Sequence, residues 1–471
     1  MTSGDLWWQT ASDLAAGIRA RELSATEVLE AHLARIAEVN PVLNAIVTLD
    51  PDGARAQARA ADRVLAEGGD VGPLHGLPIA VKDLEDTAGM RTTYGSPIYA
   101  EHVPEADTLM VARMRRAGAI VIGKTNTPEF GAGSQTFNAV FGATRNPYDP
   151  SRTPGGSSGG AAAAVASGML PFADGSDLGA SVRNPAAFCN LVGLRPSPGR
   201  IPDVPSRAIW DPLSVLGPIA RNVADAALLL RALAGPDPRA PLSLRDEPEA
   251  FALETSFNPA GLRIAWSRNL GDLPVAGEVT AVLERRRETL TGLGCVVEDV
   301  DPDLGDPDEA FEVLRALGFA RAFGGLLETH HDALKETVRE NTRIGLALSG
   351  GRVARALDLQ AEAFERTRAL LERYDALALP TVQVAPFGVE EEWVREIAGV
   401  PMGSYLEWMR SCSRITVTAH PAVSVPAGFT PEGLPVGLQL VGRHRGEREL
   451  LQLAAAFEAA TGSAHAPPPA L

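Results

Sequence analysis

The residues best suited to chemistry lie between positions 154 and 196. Two glycine–serine segments occur here, 155–160 and 175–181, with an alanine-rich run between them. Glycines beside serines favour a site where backbone N–H groups point at a ligand oxygen, because no side chain blocks the approach. The residues after Ser181 predict a turn into a short helix, so this serine would lie near a helix N-terminus, where the dipole favours developing negative charge. The structural alternative is that Ser181 only caps that helix.

A lysine could supply the base that such a serine needs. Lysine occurs only at positions 82, 124 and 335, and arginine accounts for the rest of the 43 basic residues. Lys82 follows the apolar run 77–81, which predicts a buried strand with Lys82 at or just past its end. A buried lysine can become neutral and accept a proton, whereas arginine stays protonated. The alternative is a surface pair between Lys82 and Asp83 or Glu85.

The order of these motifs resembles that of the amidase signature family. The signature runs from GGSSGG through a small-residue helix to GSDLGASVRNPAAFC at positions 175–189. Further family motifs are GLPIAVKD (76–83), GKTNTPEF (123–130), GPIAR (217–221) and GLPVGLQ (433–439). The resemblance therefore covers most of the chain. It implies an α/β protein with the amidase-signature fold, in which a mixed central β-sheet is flanked by helices and joined by a helical cap region.

The resemblance also implies a Ser–Ser–Lys triad. Ser181 takes the position of the nucleophile, Ser157 that of the bridging serine and Lys82 that of the base. Neutral Lys82 would accept a proton from Ser157, which would accept one from Ser181, and the relay would run backwards to protonate the leaving amine. Family members hold the bridging serine through a cis bond, which predicts a cis Gly156–Ser157 peptide.

Backbone N–H groups are expected to bind the oxyanion. The family pattern assigns this role to Leu178, Gly179, Ala180 and Ser181, and Gly131 corresponds to a position that lines the acyl site. The chain departs from the commonest pattern at Ala180, where glycine is usual. Alanine tolerates positive φ poorly, so a requirement for positive φ here would alter the oxyanion loop.

Two further residues of the signature have structural interpretations. Arg183 is expected to brace the loop by pairing with Asp177, and contact with a substrate carboxylate is its alternative role. Cys189 is expected to be a small core residue, because no histidine near it in sequence would activate it.

On this basis the chain is expected to be a hydrolase that needs no cofactor and cleaves the C–N bonds of linear, non-peptide amides through a serine acyl-enzyme. Aryl esters and carbamates (urethanes) react by the same acyl transfer and are further candidate substrates. Two alternatives stay open. One is the amidase component of a tRNA-dependent amidotransferase, which hydrolyses glutamine and passes ammonia to partner subunits. The other is a binding protein that has lost catalysis.

The substrate is expected to carry a neutral, largely apolar acyl or amine group and not to be glutamine. Two loop regions are predicted to wall the pocket: 203–210, which contains Arg207 and Trp210, and 393–408, which begins and ends with tryptophan. The second region also contains Ile397, Val400, Met402 and Tyr405. Aromatic and methionine side chains suit an apolar pocket. The two tryptophans at 393 and 408 would equally suit the core of a helical cap.

Other kinds of site have weaker sequence support. The segment 155–159 fits the G-x-S-x-G elbow of α/β-hydrolases, but such an elbow follows an apolar strand, whereas 146–152 predicts a loop. That mechanism would also need His420 or His444. No Gly-Lys-Ser/Thr follows the glycine cluster, which argues against a phosphate loop. Neither HExxH nor CxxC occurs, so no metal site is expected.

Composition narrows the class of protein. The formal net charge is −16 and no basic tract occurs, which argues against nucleic-acid binding. Cysteines at 189, 295 and 412 form no disulfide framework and suit a reducing compartment. With no signal-peptide pattern and no apolar run of about 18 residues, a cytoplasmic protein without membrane contact is expected. The sequence leaves monomer and homodimer both open.

The 471 residues are expected to form one amidase-signature domain. Residues 1–70 predict a helical N-terminal scaffold and 71–235 the catalytic core with the signature. Residues 300–410 predict a helical cap that covers the site and binds the substrate, and 411–460 return to the core.

Overall fold

The first two helices begin at strong sequence signals. The computed structural model describes four stretches of the chain: 6–206, 208–254, 256–462 and 467–468. Thr10 caps the first helix by accepting a hydrogen bond from the Asp13 N–H, and Ser24 and Glu27 form a complete capping box at the second. These helices belong to the predicted N-terminal scaffold.

Helices pack against the sheets and form most of the region between 307 and 373. In chain order they are Ala11–Arg19 (α1), Ala25–Leu43 (α2), Pro51–Ala66 (α3), Leu109–Arg116 (α4), Gly159–Ala166 (α5), Arg183–Phe188 (α6), Val223–Leu233 (α7), Gly277–Gly292 (α8), Pro307–Thr329 (α9), Glu336–Leu346 (α10), Gly350–Arg373 (α11), Arg410–Val417 (α12) and Glu447–Thr461 (α13). In the described part of the chain, none of them combines the length and the apolarity needed to cross a membrane.

The strands are short and mostly buried. In chain order they are Ile46–Leu49 (β1), Pro78–Lys82 (β2), Ile120–Thr125 (β3), Phe137–Asn138 (β4), Gly142–Ala143 (β5), Phe172–Asp177 (β6), Val192–Arg195 (β7), Val215–Ala220 (β8), Arg263–Trp266 (β9), Val296–Asp299 (β10), Ala376–Pro380 (β11), Glu396–Ile397 (β12), Val400–Pro401 (β13), Ala422–Phe429 (β14) and Pro435–Val441 (β15).

The main sheet mixes parallel and antiparallel pairs, as the sequence predicted. Within the described residues its strand order is β10-β9-β11-β15-β14-β7-β8-β6. The β10/β9 and β9/β11 pairs are parallel, and the pairs from β11 onwards to β6 are antiparallel. A smaller sheet has the order β1-β3-β2, in which β2 and β3 are parallel. Because β11 pairs with β9 and β15, this part of the predicted cap range belongs to the central sheet.

Helix α5 joins the two sheets. All eight of its residues are glycine, alanine or valine, and all are buried. It contacts β1, β2 and β3 on one side and β6 and β8 on the other. Small side chains permit this close approach: a Cβ on Gly160 would lie 2.3 Å from the backbone nitrogen of Asn126. The helix thereby holds β2 against β6, the two strands that carry the candidate chemistry.

The predicted helical cap is built on α9. This helix packs against α10, α11 and α12. Its inner face enters an apolar cluster through Ala310 and Phe311, and that cluster also contains Ala180 and Trp408. The cap therefore contacts the turn that follows β6.

Candidate active site

Lys82 is the last residue of β2 and is fully buried. The surface pair with Asp83 or Glu85 that was considered from sequence is therefore not formed. Its backbone N–H donates to the carboxylate of Asp174 on β6, at 3.2 Å to each oxygen. The apolar strand thus ends with an amine group inside the protein, as the pattern predicted.

Three serine hydroxyls surround the Lys82 ammonium. Nζ lies 2.8 Å from Ser157 Oγ, 2.8 Å from Ser158 Oγ and 2.9 Å from Ser176 Oγ. A protonated lysine has three N–H donors and so saturates all three hydroxyls. A neutral lysine has only two donors and one lone pair, so one hydroxyl must then donate to the nitrogen. The arrangement accommodates both protonation states.

The environment of Lys82 favours the neutral amine. Burial lowers the pKa of Lys82 to about 8, although the nearby negative charge of Asp174 opposes the shift. Burial also raises the pKa of Asp174 to about 6, so that carboxylate is ionised at neutral pH.

Ser157 and Ser181 line the same cavity. The Gly156–Ser157 peptide is cis, which confirms that prediction. Ser181 accepts a hydrogen bond from the Ser158 N–H through its backbone oxygen at 3.2 Å. Among the described residues its hydroxyl has no hydrogen-bond partner, so the predicted Ser181–Ser157 contact is not formed in this state. Catalytic hydrogen bonds are often long without substrate and shorten when it binds.

The turn after β6 presents backbone N–H groups. Within the described chain, those of Leu178, Gly179, Ala180 and Ser181 have no acceptor. Leu178, Gly179 and Ser181 line the cavity, while Ala180 packs in the apolar cluster behind it. The helix that follows, α6, has only six residues and begins at Arg183.

Ala180 does not have a positive φ, so the replacement of glycine costs no backbone strain. At Gly179 the requirement for glycine is steric, because a Cβ would lie 2.7 Å from Phe311 Cζ and 3.0 Å from Met409 Cε. Gly131 does adopt a positive φ of 70° and lines the cavity. A Cβ there would lie 3.0 Å from Leu84 Cδ1 and 3.5 Å from Ser157 Oγ.

A buried ion pair braces this turn. Arg183 Nε donates to Asp177 Oδ2 at 3.0 Å and Nη2 donates to Oδ1 at 2.9 Å, which confirms the predicted pair. Burial alone would raise the pKa of Asp177, but the charges of Arg183 and Arg195 lower it to about 2. Asp177 also accepts the Val182 N–H, and Arg183 also donates to the carbonyl of Gly179. Both ends of the turn are therefore fixed.

The cavity has a volume of about 130 Å³. Its apolar wall consists of Leu84, Phe130, Phe311, Phe319 and Met409, and its polar wall includes Arg315 and Tyr405.

The predicted pocket walls contribute little to the lining of this cavity. Trp210 is 69% exposed and does not line the cavity, and Arg207 lies outside the described residues. Trp408 is fully buried in the apolar cluster, which agrees with the core alternative. Of the second region, Tyr405 is the one predicted residue that lines the described cavity.

Three site residues escaped prediction from the sequence: Ser158, Ser176 and Arg315. Ser158 and Ser176 do stand inside the signature motifs, which is the signal that could have identified their hydroxyls. Arg315 lies on α9 far along the chain, and no local signal distinguishes it from a surface arginine. Tyr405 was expected as part of an apolar wall, without a role for its hydroxyl.

The described structure does not support the α/β-hydrolase elbow that was considered from the sequence. No strand directly precedes the segment 155–159 in the described structure, as an elbow would require. His420 and His444 pack against Phe364, away from the cavity lining. Cys189 is fully buried, and burial raises the pKa of its thiol, as expected for a core residue.

Comparison with known proteins agrees with the sequence motifs. The amidase family model matches residues 27–451. An acylamidase of Rhodococcus erythropolis is 37% identical over 467 residues, which cover 98% of this chain and 97% of that protein. One of the subunits of the glutamyl-tRNA(Gln) amidotransferase of Thermus thermophilus is 38% identical over 484 residues, which cover 96% of this chain and 98% of that protein.

A solved structure extends the agreement to the fold. The crystal structure of a bacterial aryl acylamidase of the amidase signature enzymes superposes with a TM-score of 0.91 at 29% identity, covering 97% of each chain. The predicted fold class is therefore confirmed.

Proposed function

The chain belongs to the amidase signature family, and we propose that it cleaves the C–N bonds of small, linear amides through a serine acyl-enzyme. The observation that carries this proposal is the contact of 2.8 Å between Lys82 Nζ and Ser157 Oγ inside the protein. A buried amine whose pKa is lowered to about 8 is a competent base near neutral pH.

In the proposed mechanism Ser181 is the nucleophile. Neutral Lys82 takes the proton of Ser157, and Ser157 takes that of Ser181 as Ser181 Oγ bonds to the amide carbon. The N–H groups of the turn 178–181 stabilise the oxyanion. Collapse of the tetrahedral intermediate breaks the C–N bond, and the relay returns the proton to the leaving amine. Water, deprotonated by the same relay, then releases the acid.

The cavity supports small substrates. Its aromatic side chains suit an aryl or short aliphatic group, and its volume is close to that of an engineered protein cavity that binds benzene. Aryl esters and aryl carbamates are included in the proposal, because they undergo acyl transfer at the same carbonyl. A cytoplasmic location is proposed as well, in keeping with three unpaired cysteines.

A labelling experiment tests the nucleophile. Phenylmethylsulfonyl fluoride should modify Ser181, located by peptide mass spectrometry, and Ser181→Ala should abolish both labelling and turnover of 4-nitroacetanilide. Ser214→Ala is the matched control, because Ser214 also lines the cavity. Labelling of Ser157, with Ser181→Ala still active, would reject the assignment.

The amidotransferase alternative is favoured by one observation, the 38% identity to a component of such a complex. A component of that kind needs its partners, whereas a free hydrolase does not. Activity of the purified chain on aryl amides, aliphatic amides and aryl carbamates, above that on glutamine in kcat/KM, would favour the free enzyme. Glutamine as the best substrate would favour the alternative. An inactive binding protein would show no turnover on any of them.

A further inference from the structure

Arg315 is a buried charge in the wall of the candidate active site. It lies on α9, is 5% exposed, and lines the same cavity as Ser157 and Ser181. The mechanism proposed above gives it no role.

The partners of Arg315 are all neutral. Nη1 donates to Asn341 Oδ1 at 2.5 Å, and Nη2 donates to the hydroxyl of Tyr405. The guanidinium carbon lies 4.2 Å from the ring centroid of Phe319 and 5.3 Å from that of Tyr405. Burial raises the pKa of Tyr405, so its phenol is uncharged near neutral pH. Within the described chain, Arg315 forms no ion pair with a carboxylate.

Such an arrangement is costly without an anion. Burial of a charge is unfavourable unless an opposite charge compensates it, and buried arginines are normally paired. Here Asp177 and Arg183 illustrate the usual solution. The cavity offers Arg315 no counter-charge, because no aspartate or glutamate lines it in the described structure. No described residue of the cavity supplies a negative charge, so a molecule that enters the cavity is the candidate source.

We propose that the substrate is a small amide that carries a carboxylate, and that Arg315 and Tyr405 bind this carboxylate while Ser181 attacks the amide carbonyl. The inference rests on the amide hydrolysis proposed above. Arg315 supplies a fork of N–H donors that matches a carboxylate. The hydroxyl of Tyr405 accepts from Arg315 and from Asn341 Nδ2 at 3.4 Å, which leaves its own proton to donate. This proposal differs from the neutral group that was expected from the sequence.

The same wall argues against glutamine. Glutamine carries an α-ammonium group beside its carboxylate, and the cavity has no acidic side chain among its described residues to receive it. Arg315 would repel that group. The favoured substrates are monoanions without an amine.

Two substrate pairs test the proposal. In the first, the mono-4-nitroanilide of succinic acid is compared with 4-nitrobutyranilide, which places the charge in the acyl group. In the second, 4-acetamidobenzoate is compared with 4-methylacetanilide, which places it in the amine. The wild-type enzyme should prefer the anion in at least one pair. Arg315→Gln should lower kcat/KM for that anion by about tenfold to a hundredfold, as for loss of a charged hydrogen bond, and change its neutral partner by less than about threefold.

The control is Arg321→Gln, on the same helix but exposed and paired with Asp211 at 3.4 Å. It should leave both members of each pair unchanged. Equal losses on anionic and neutral substrates in Arg315→Gln would mean that Arg315 only supports the cap, and this would overturn the proposal. So would a preference of the wild type for the neutral member in both pairs. If Arg315→Gln does not fold, Tyr405→Phe should give a smaller loss, again confined to the anion.

A binding measurement separates this inference from the proposed function. Calorimetry with 4-acetamidobenzoate and the succinic mono-4-nitroanilide on Ser181→Ala should show binding that Arg315→Gln weakens by about tenfold or more. If no amide is hydrolysed but this binding is found, the proposed function fails and the anion site stands. If neutral amides are hydrolysed but neither anion binds, or Arg315→Gln binds them equally, the anion site fails and the proposed function stands.

Discussion

At the scale of single residues, the candidate site depends on how one lysine is kept both buried and satisfied. Lys82 has hydroxyl partners for all three of its protons, which limits the cost of burial for the charged form. Asp174 stands behind it and interacts with its backbone N–H. These contacts hold the amine against Ser157, and desolvation keeps its proton weakly bound.

The pH dependence of the reaction follows from Lys82. Its pKa of about 8 lies below the usual 10.5, so it is protonated below pH 8 and neutral above. With chemistry rate-limiting, kcat/KM for a neutral amide should rise about tenfold per pH unit from pH 6 to 7 and level off above pH 8. Lys82→Ala should lose roughly a hundredfold or more, as for loss of a general base. Stopped-time assays from pH 6 to 9.5 measure the profile. A flat profile would contradict the role of Lys82.

Asp174 should set the midpoint of that profile. Its negative charge raises the pKa of Lys82 against the effect of burial. Asp174→Asn removes the charge and retains an oxygen acceptor for the Lys82 N–H, so the midpoint should move to lower pH. The control is Asp62→Asn, because Asp62 also accepts backbone N–H groups, from Ala25 and Thr26, but does not affect Lys82. An unchanged or higher midpoint in Asp174→Asn would show that the charge of Asp174 does not raise the pKa of Lys82.

At the scale of elements, the turn between β6 and α6 is held between the sheet and the cap. Phe311 of α9 and Met409 lie so close to Gly179 that the cap contacts the backbone proposed to bind the oxyanion. The brace of Asp177 and Arg183 fixes the turn from the sheet side, and Arg183 Nη1 extends it to Gln439 of β15 at 2.7 Å. Movement of the cap would therefore disturb the proposed oxyanion site.

Gly179→Ala tests this coupling. The new methyl group would overlap Phe311, so we expect a loss of about 1–3 kcal/mol in the free energy of unfolding, as for overpacking, together with lower kcat and little change in KM. Urea unfolding and steady-state kinetics measure the two effects. Phe311→Leu in the same chain should restore part of both.

The control is Gly318→Ala in α9, where a Cβ would meet no atom within 4 Å. Alanine favours the helix by up to about 1 kcal/mol, so this variant should be slightly more stable and equally active. A Gly179→Ala enzyme as active as wild type would show that the turn does not depend on the contact with Phe311.

The sequence predicted the parts of the site that short-range patterns encode. The apolar run before Lys82 placed this residue at the end of a buried strand, and the motif around Ser181 placed that serine in a turn before a short helix. The Asp177–Arg183 pair followed from their proximity in the signature. Strand order in the main sheet could not be predicted, because pairing of β11 with β9 and β15 joins segments more than 50 residues apart along the chain.

Arg315 marks where local patterns stop being informative. An arginine on a helix usually faces solvent. Arg315 lines the cavity only because α9 packs over the signature segment. Trp210 shows the opposite error: an aromatic residue beside the signature was expected in the pocket, yet the loop leaves it exposed. In both cases the outcome depends on tertiary packing that neither residue type nor spacing records.

At the scale of the whole molecule, buried ionisable groups give the free energy of unfolding and the catalytic rate opposite dependences on pH. Lys82 must lose its proton to act, and it does so near pH 8. Burial raises the pKa of Glu85 and raises that of Glu458 to about 8, so these carboxyl groups retain protons in the folded chain that the unfolded chain has lost. Stability should therefore decline over the range in which activity rises.

Glu458 provides the clearest test, because it lies on α13, away from the candidate site. It accepts the Val223 N–H at 3.0 Å, and its pKa rises from 4.5 to about 8 chiefly through burial. The protonated carboxyl group of Glu458 therefore contributes fully to the stability of the folded state below pH 4.5. This contribution is lost as pH rises to 8. Glu458→Gln keeps the acceptor but cannot ionise, so it should raise the free energy of unfolding at pH 8 by about 1–3 kcal/mol and have little effect at pH 4.5. Thermal unfolding at both pH values measures the difference. Glu449→Gln, on the exposed face of the same helix, is the control and should show no such dependence. If Glu458→Gln is no more stable relative to the wild type at pH 8 than at pH 4.5, this carboxyl group ionises normally in the folded protein.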